Sequence, residues 1–133
     1  MAANDIPEPV RRLIHEHLPS VERLEILLLL FEQKQRAWSV EKIEETIRST
    51  RDSVRQHVNA LEAAGLVGAE GAQKQNLRYR YLARTPELDG AVAELEMAYR
   101  TRRVAVIELI YAERHENVRT FSEAFKLGKK GDR

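Results

Sequence analysis

Ser49-Thr50-Arg51-Asp52-Ser53-Val54-Arg55-Gln56-His57-Val58-Asn59-Ala60-Leu61-Glu62-Ala63-Ala64-Gly65-Leu66-Val67 is the stretch that decides the fold. Val54, Val58 and Leu61 recur at helical spacing and make one apolar stripe. Ser49 or Thr50 supplies the N-cap, and Asp52 stands near the positive end of the helix. Gly65 offers the left-handed residue that closes it. Leu66 and Val67 then open a strand. With the stripe turned inward, the other side of this helix shows Arg51, Ser53, Arg55, Gln56 and Asn59.

Upstream, the pattern predicts three more helices. Val10, Leu13, Ile14 and Leu18 share one side of a short helix that Pro19 stops. Ser20 caps a helix from Val21 to about Arg36 that is apolar nearly all round, as a helix central to a core is. Ser39 caps a third, in which Val40, Ile43 and Ile47 make the buried stripe. Trp38, just ahead of it, reads as a core plug.

Downstream, Leu66–Glu70 and Asn76–Ala83 read as two strands joined across Gly71–Gln75. Leu77, Tyr79 and Tyr81 alternate to one face, Arg78 and Arg80 to the other. Thr85-Pro86-Glu87 starts a long helix, expected to reach about Ala112. A last amphipathic helix is expected after Asn117, with Val118, Phe121, Phe125 and Leu127 inward. The expected organisation is an arm and short helix over 1–19, a central unit over 20–83, a helical region over 84–127 and a solvated tail over 128–133.

Helices followed by a β-hairpin in this order make a mainly α (α+β) winged helix-turn-helix. Residues Ser49 to Val67 resemble the recognition-helix segment of bacterial winged-helix regulators of the MarR and ArsR types, which read S-x-S-x-V-S-x-H-L-x-x-L-x-x-x-G-L-V. The resemblance covers about residues 20–83, and its most specific part is Leu61 followed by Gly65-Leu66-Val67. It implies a transcriptional regulator that binds double-stranded DNA. The helices after the wing resemble the dimerisation helices of these regulators, which implies a homodimer.

The residues themselves support that reading. Arginine can pair bidentately with guanine, and asparagine or glutamine with adenine, in a major groove that admits a helix. Arg51, Ser53, Arg55, Gln56 and Asn59 are the candidate base readers. Thr50, Lys74, Arg78 and Arg80 are the candidates for the DNA backbone. Formal net charge is only +1, from 22 basic and 21 acidic residues, which argues against a uniformly basic coat. The sum is uneven along the chain. Residues 71–84 carry +4 and residues 48–59 carry +2, while the helix of Glu41, Lys42, Glu44 and Glu45 carries −2. Those acids and Asp52 count against phosphate contact.

The helical region carries a second argument. Val104 to Tyr111 is apolar on more than one side, which implies a partner, most simply a second copy. Leu95, Tyr99, Val106, Ile107, Ile110 and Tyr111 are the candidate interface. The competing account is that this segment covers the apolar helix Leu24–Leu30 within one chain. Other readings stay open: a winged-helix adaptor that binds protein and not DNA, or a repressor answering a small-molecule or protein effector.

Several functions find no support. The chain has no cysteine, so it has no disulfide framework, thiolate metal site or cysteine nucleophile. ArsR-type sensors often carry cysteine ligands, so metal sensing of that kind is not expected here. His15 and His17 are two apart and point to different sides of a helix, which is poor metal geometry. No glycine-rich phosphate loop and no nucleophile–base pattern occurs, so neither an enzyme nor a cofactor is expected. The longest apolar run has six residues, too few for a membrane span, and the first residues lack a signal-peptide pattern. The expected location is cytoplasmic.

Overall fold

The computed structural model describes residues 6–73 and 76–114. Its elements run α1 (Glu8–His17), α2 (Val21–Glu32), β1 (Trp38–Ser39), α3 (Val40–Ile47), α4 (Arg51–Ala63), β2 (Val67–Glu70), β3 (Arg78–Tyr81) and α5 (Pro86–Thr101). A sixth helical segment, α6, occupies 103–114. Lys74 lies outside the described residues, as does the expected last helix with Val118, Phe121, Phe125 and Leu127.

The helix starts follow from side-chain chemistry. Ser20, Ser39, Thr50 and Thr85 each sit in extended backbone, and each accepts through its hydroxyl oxygen from the N–H three residues on. Each such cap satisfies a donor that the helix itself leaves unpaired, and is typically worth about 1 kcal/mol. At the other end of α4, Gly65 takes φ 80°, a left-handed turn that costs glycine nothing. Leu66 N–H then reaches back to the Leu61 carbonyl at 3.0 Å, and the chain enters β2.

The sheet is antiparallel with order β1-β3-β2. Trp38 pairs with Tyr79, and Ser39 with Arg78. β1 thus gives the hairpin a third strand and fixes it to the start of α3. Tyr79 and Tyr81 are buried and Leu77 half-buried, on the face the alternation predicts. The Tyr81 ring meets Phe31 of α2 edge-on at 5.0 Å, a favourable aromatic geometry. Its hydroxyl donates to Asp89 of α5 at 2.7 Å. Burial, and then Asp89, push this phenol far above its ordinary pKa, so it stays a donor.

α2 lies at the centre of one continuous core. Leu24, Ile26, Leu27, Leu28 and Leu30 are all buried, against α3, α4, β3 and α5. α1 packs along α5 and adds Val10, Leu13 and Ile14 to the same core.

Two expectations need correction. The long helix does not run unbroken to Ala112. It stops at Thr101, Arg102 leaves helical backbone (φ −137°, ψ 49°), and α6 begins at 103. A straight helix of that length would span roughly 40 Å. The break instead returns α6 to the core and to α1, where Glu113 pairs with His15. Val106 and Ile110 of α6, like Leu95 of α5, are fully buried within their own chain and offer no surface to a second copy. Tyr99 is half-buried and donates its hydroxyl to Glu25 of α2 at 3.0 Å. Of the six candidates, Ile107 is half-buried and Tyr111 is exposed.

Candidate nucleic-acid interface

α4 presents Arg55, Gln56 and Asn59 to solvent. Arg55 and Asn59 are one turn apart and line an open groove of about 510 Å³ between α4, the wing and the start of α3. The wing contributes Asn76, Leu77, Arg78 and Tyr79, and α3 with its cap contributes Ser39, Val40 and Glu41. The β1–β3 pairing brings Arg78 there, since it sets Arg78 opposite Ser39 at the head of α3. Among the described residues, neither Arg55 nor Arg78 has an ion-pair partner. The groove therefore joins two guanidinium groups and two side-chain amides, with Glu41 at its α3 end. Tyr79 forms part of its lining, with its phenol raised by burial and by Glu62 and opposed by nearby Arg55.

The other sequence candidates are already engaged. Arg51 Nε lies 3.3 Å from Glu44 and 4.0 Å from Glu41 of α3. Thr50 uses its hydroxyl oxygen as the α4 cap. Ser53 does not face outward with Arg55: it is half-buried and donates to Glu22 of α2 at 2.8 Å. Arg80 lies on the strand face expected, but its Nη2 is held 3.2 Å from Glu70 of β2. Its Nε is enclosed without a partner.

Ser53 belongs to a polar network that sequence reasoning missed. Glu22 Oε2 accepts from Ser49 Oγ at 2.6 Å as well as from Ser53, and His57 Nε2 lies 3.7 Å away. Burial alone would raise the Glu22 carboxyl. The two hydroxyl bonds and His57 outweigh it and hold the group below 4.5. One carboxylate of α2 thus grips the α3–α4 turn and the first two turns of α4. The only sequence signal for it is the pairing of Ser49 with Ser53 at helical spacing, which names no partner.

His57 packs toward α2 rather than standing in solvent beside Gln56. It is largely enclosed and accepts at Nδ1 from Arg23 Nε at 3.0 Å. Trp38 is buried, as expected of a core plug, with the Arg36 guanidinium 4.2 Å above its ring. Among the described residues no group of three or more His, Asp or Glu side chains is arranged to hold a metal. No helix among them is long and apolar enough to cross a membrane.

A helix, a turn, a second helix gripped beside it, and a hairpin tied to a short strand: the described chain is an α+β winged helix-turn-helix followed by two further helices. Among solved structures, reduced HlyU from Vibrio cholerae N16961 shares this fold with a TM-score of 0.51 at 18% identity, over 69% of this chain and 88% of that one. No protein-family model matches the sequence, and a search of curated proteins finds no match.

Proposed function

We propose that the protein is a DNA-binding transcriptional regulator that reads the major groove through α4. The observation that carries this reading is the convergence of Arg55 and Asn59 with Arg78 on one open groove. Arg55 has the reach and geometry for a guanine, and Asn59 for an adenine, one helical turn further along. Arg78 would hold a phosphate beside them and fix the register. Gln56 would read from the flank, and Lys74 would add charge to the wing.

The same proposal includes a homodimer. Val104 and Tyr111 of α6 and Met97 of α5 are more than half exposed. With half-buried Ile107, Val104 and Tyr111 follow one another at helical spacing on α6. An exposed apolar stripe of this kind is a natural surface for a second copy about a two-fold axis. Two copies of α4 spaced about 34 Å apart would enter successive major grooves.

The deciding experiment is capture of genomic fragments by the full chain at low and moderate salt, with bound DNA sequenced. Enrichment of one sequence class is expected. Arg55→Ala should weaken binding by about 1–3 kcal/mol and relax one base position. Arg78→Ala should weaken all sequences alike and flatten the salt dependence. Binding that stays undetectable at low salt would overturn the reading. So would a nuclease-resistant protein complex that Arg55→Ala leaves intact, which is what an adaptor would give.

A further inference from the structure

Two kinds of contact hold α4. Val54, Val58 and Leu61 seat it on the core, and apolar contact of this kind is non-directional. Ser53 and His57, one turn apart, lie on the side of the helix away from Arg55 and Asn59. Both are taken by consecutive residues of α2. Glu22 accepts from Ser53 Oγ at 2.8 Å and from Ser49 Oγ at 2.6 Å. Arg23 Nε donates to His57 Nδ1 at 3.0 Å, and its Nη1 donates to the His17 carbonyl at the end of α1 at 3.4 Å. Arg23 thereby joins α1 to α4. None of these bonds uses Arg55, Asn59 or Arg78, so the groove side of α4 is left open while its far side is tied.

We infer that Glu22 and Arg23 are positioning residues for sequence reading: they set the rotation of α4 about its own axis, and with it where Arg55 and Asn59 point. The inference rests on the DNA-binding reading above and adds to it two residues that act through Ser53 and His57. Hydrogen bonds are directional, so a pair of them one turn apart fixes a rotation that packing leaves soft. The magnitudes make this matter. A rotation of about 20° moves an atom about 6 Å from the helix axis by about 2 Å. Hydrogen-bond lengths vary by only about 0.5 Å, so a bidentate contact to a base edge does not survive such a shift. Attraction to phosphate acts over about 8–10 Å at ordinary salt and does survive it. Phosphate contacts carry no sequence information, and base contacts do. Glu22 and Arg23 therefore govern discrimination between sequences and bear little on affinity for DNA at large.

The test compares the full chain with four variants, each kept well below its unfolding temperature. Affinity is measured for the captured genomic fragment and for an unrelated duplex of equal length. The ratio of the two should fall about fivefold or more in Glu22→Ala and Arg23→Ala, the scale of one misplaced bidentate contact. The unrelated duplex should stay within about twofold of the parent. Ser53→Ala removes one bond and little bulk, and should lower the ratio about threefold even where a larger change unfolds the chain. Glu22→Gln keeps an oxygen that can accept from both hydroxyls and should hold the ratio within about twofold. A purely structural role would move the unfolding midpoint and leave the ratio alone. Amide proton–nitrogen spectra without DNA give a second readout: Glu22→Ala should shift residues 53–59 and leave α5 in place. An unchanged ratio in Glu22→Ala, Arg23→Ala and Ser53→Ala, or a Glu22→Gln as damaging as Glu22→Ala, would overturn the inference. If the parent enriches no sequence class, the DNA-binding reading is what fails. The spectra then decide alone whether Glu22 sets α4, and undisturbed signals from 53–59 would overturn that as well.

Discussion

Arg23 Nε donates to His57 Nδ1 at 3.0 Å across the α2–α4 contact. Guanidinium has donors only, so His57 must accept at Nδ1 and carry its proton on Nε2. That nitrogen lies 3.7 Å from Glu22 Oε2. The arrangement needs a neutral imidazole: a second proton on Nδ1 would set two donors face to face. Burial is the largest influence on this histidine and lowers its pKa below 6.5. Glu22 opposes that shift and Arg23 reinforces it.

A pH dependence of stability follows. The folded state binds the His57 proton less readily than the unfolded chain, so the contribution of His57 is full above about 6.5. It is lost as pH falls from there through the lower folded value. Glu22, held below 4.5, contributes in the same sense but only in more acid solution. His15 acts oppositely. Its hydrogen bond to Glu113 raises its pKa, so its contribution is present below 6.5 and is lost as pH rises through the folded value. In His57→Gln the amide oxygen can still accept from Arg23. That variant should lose less stability than the parent between pH 7 and about pH 5, measured by urea unfolding. Equal losses would show that His57 is not the titrating group in this window.

Arg48 is the one non-glycine among the described residues with positive φ (58°, ψ 54°), and it closes α3 at the turn into α4. A side chain there crowds the backbone, at a cost of roughly 1–2 kcal/mol. Glycine removes that crowding but gives back some entropy in the unfolded chain. Arg48→Gly should therefore stabilise the protein by about 0.5–1 kcal/mol, seen as a higher urea midpoint with unchanged slope. A lower midpoint would mean that the arginine side chain, which borders a surface hollow beside Glu25 and Tyr99, contributes more than the turn costs.

The sequence announced what local chemistry controls. Ser20, Ser39 and Thr85 cap where expected, and the Leu61–Gly65–Leu66 run ends α4 and starts the wing. What stayed hidden depends on contacts between distant segments. β1 has two residues, too few for any periodicity, and exists because β3 comes to pair with it. Ser53 looks like a surface residue until Glu22, 31 positions away, turns it inward. Leu95, Val106 and Ile110 are apolar enough to predict burial, but apolarity does not say which chain buries them. Leu95 is buried on α5 itself, and the break at Arg102 returns Val106 and Ile110 to the same core; the break carries no glycine or proline to announce it.

That partition sharpens the dimer prediction. The surface left to a partner centres on Val104, Ile107 and Tyr111 rather than on the buried residues. Val104→Asp/Tyr111→Asp should turn a dimer into a monomer in sedimentation at micromolar concentration, with unchanged helical content. Both side chains are more than half exposed in the single chain, so the fold does not depend on them. A wild-type chain that already sediments as a monomer would remove the two-fold arrangement from the proposal.

Arg51 gives the strongest electrostatic prediction. Its Nε is 3.3 Å from Glu44 and 4.0 Å from Glu41 of α3. The pair is exposed, so its own contribution to stability is small, within about 1 kcal/mol. Its effect on binding is larger in kind. Glu44 occupies the guanidinium and, under the proposed DNA-binding role, would also repel a DNA backbone; Glu44→Gln removes both effects while keeping the shape. The variant should bind DNA about 3–10-fold more tightly at low salt. Freeing one more cation for phosphate should also steepen the slope of log K against log salt by about 0.9. Glu44→Gln combined with Arg51→Ala should cancel the gain, since the freed arginine produces it. Unchanged affinity in Glu44→Gln, with the parent chain still binding, would mean that Arg51 stays clear of the DNA and that Arg55, Asn59 and Arg78 form the whole contact.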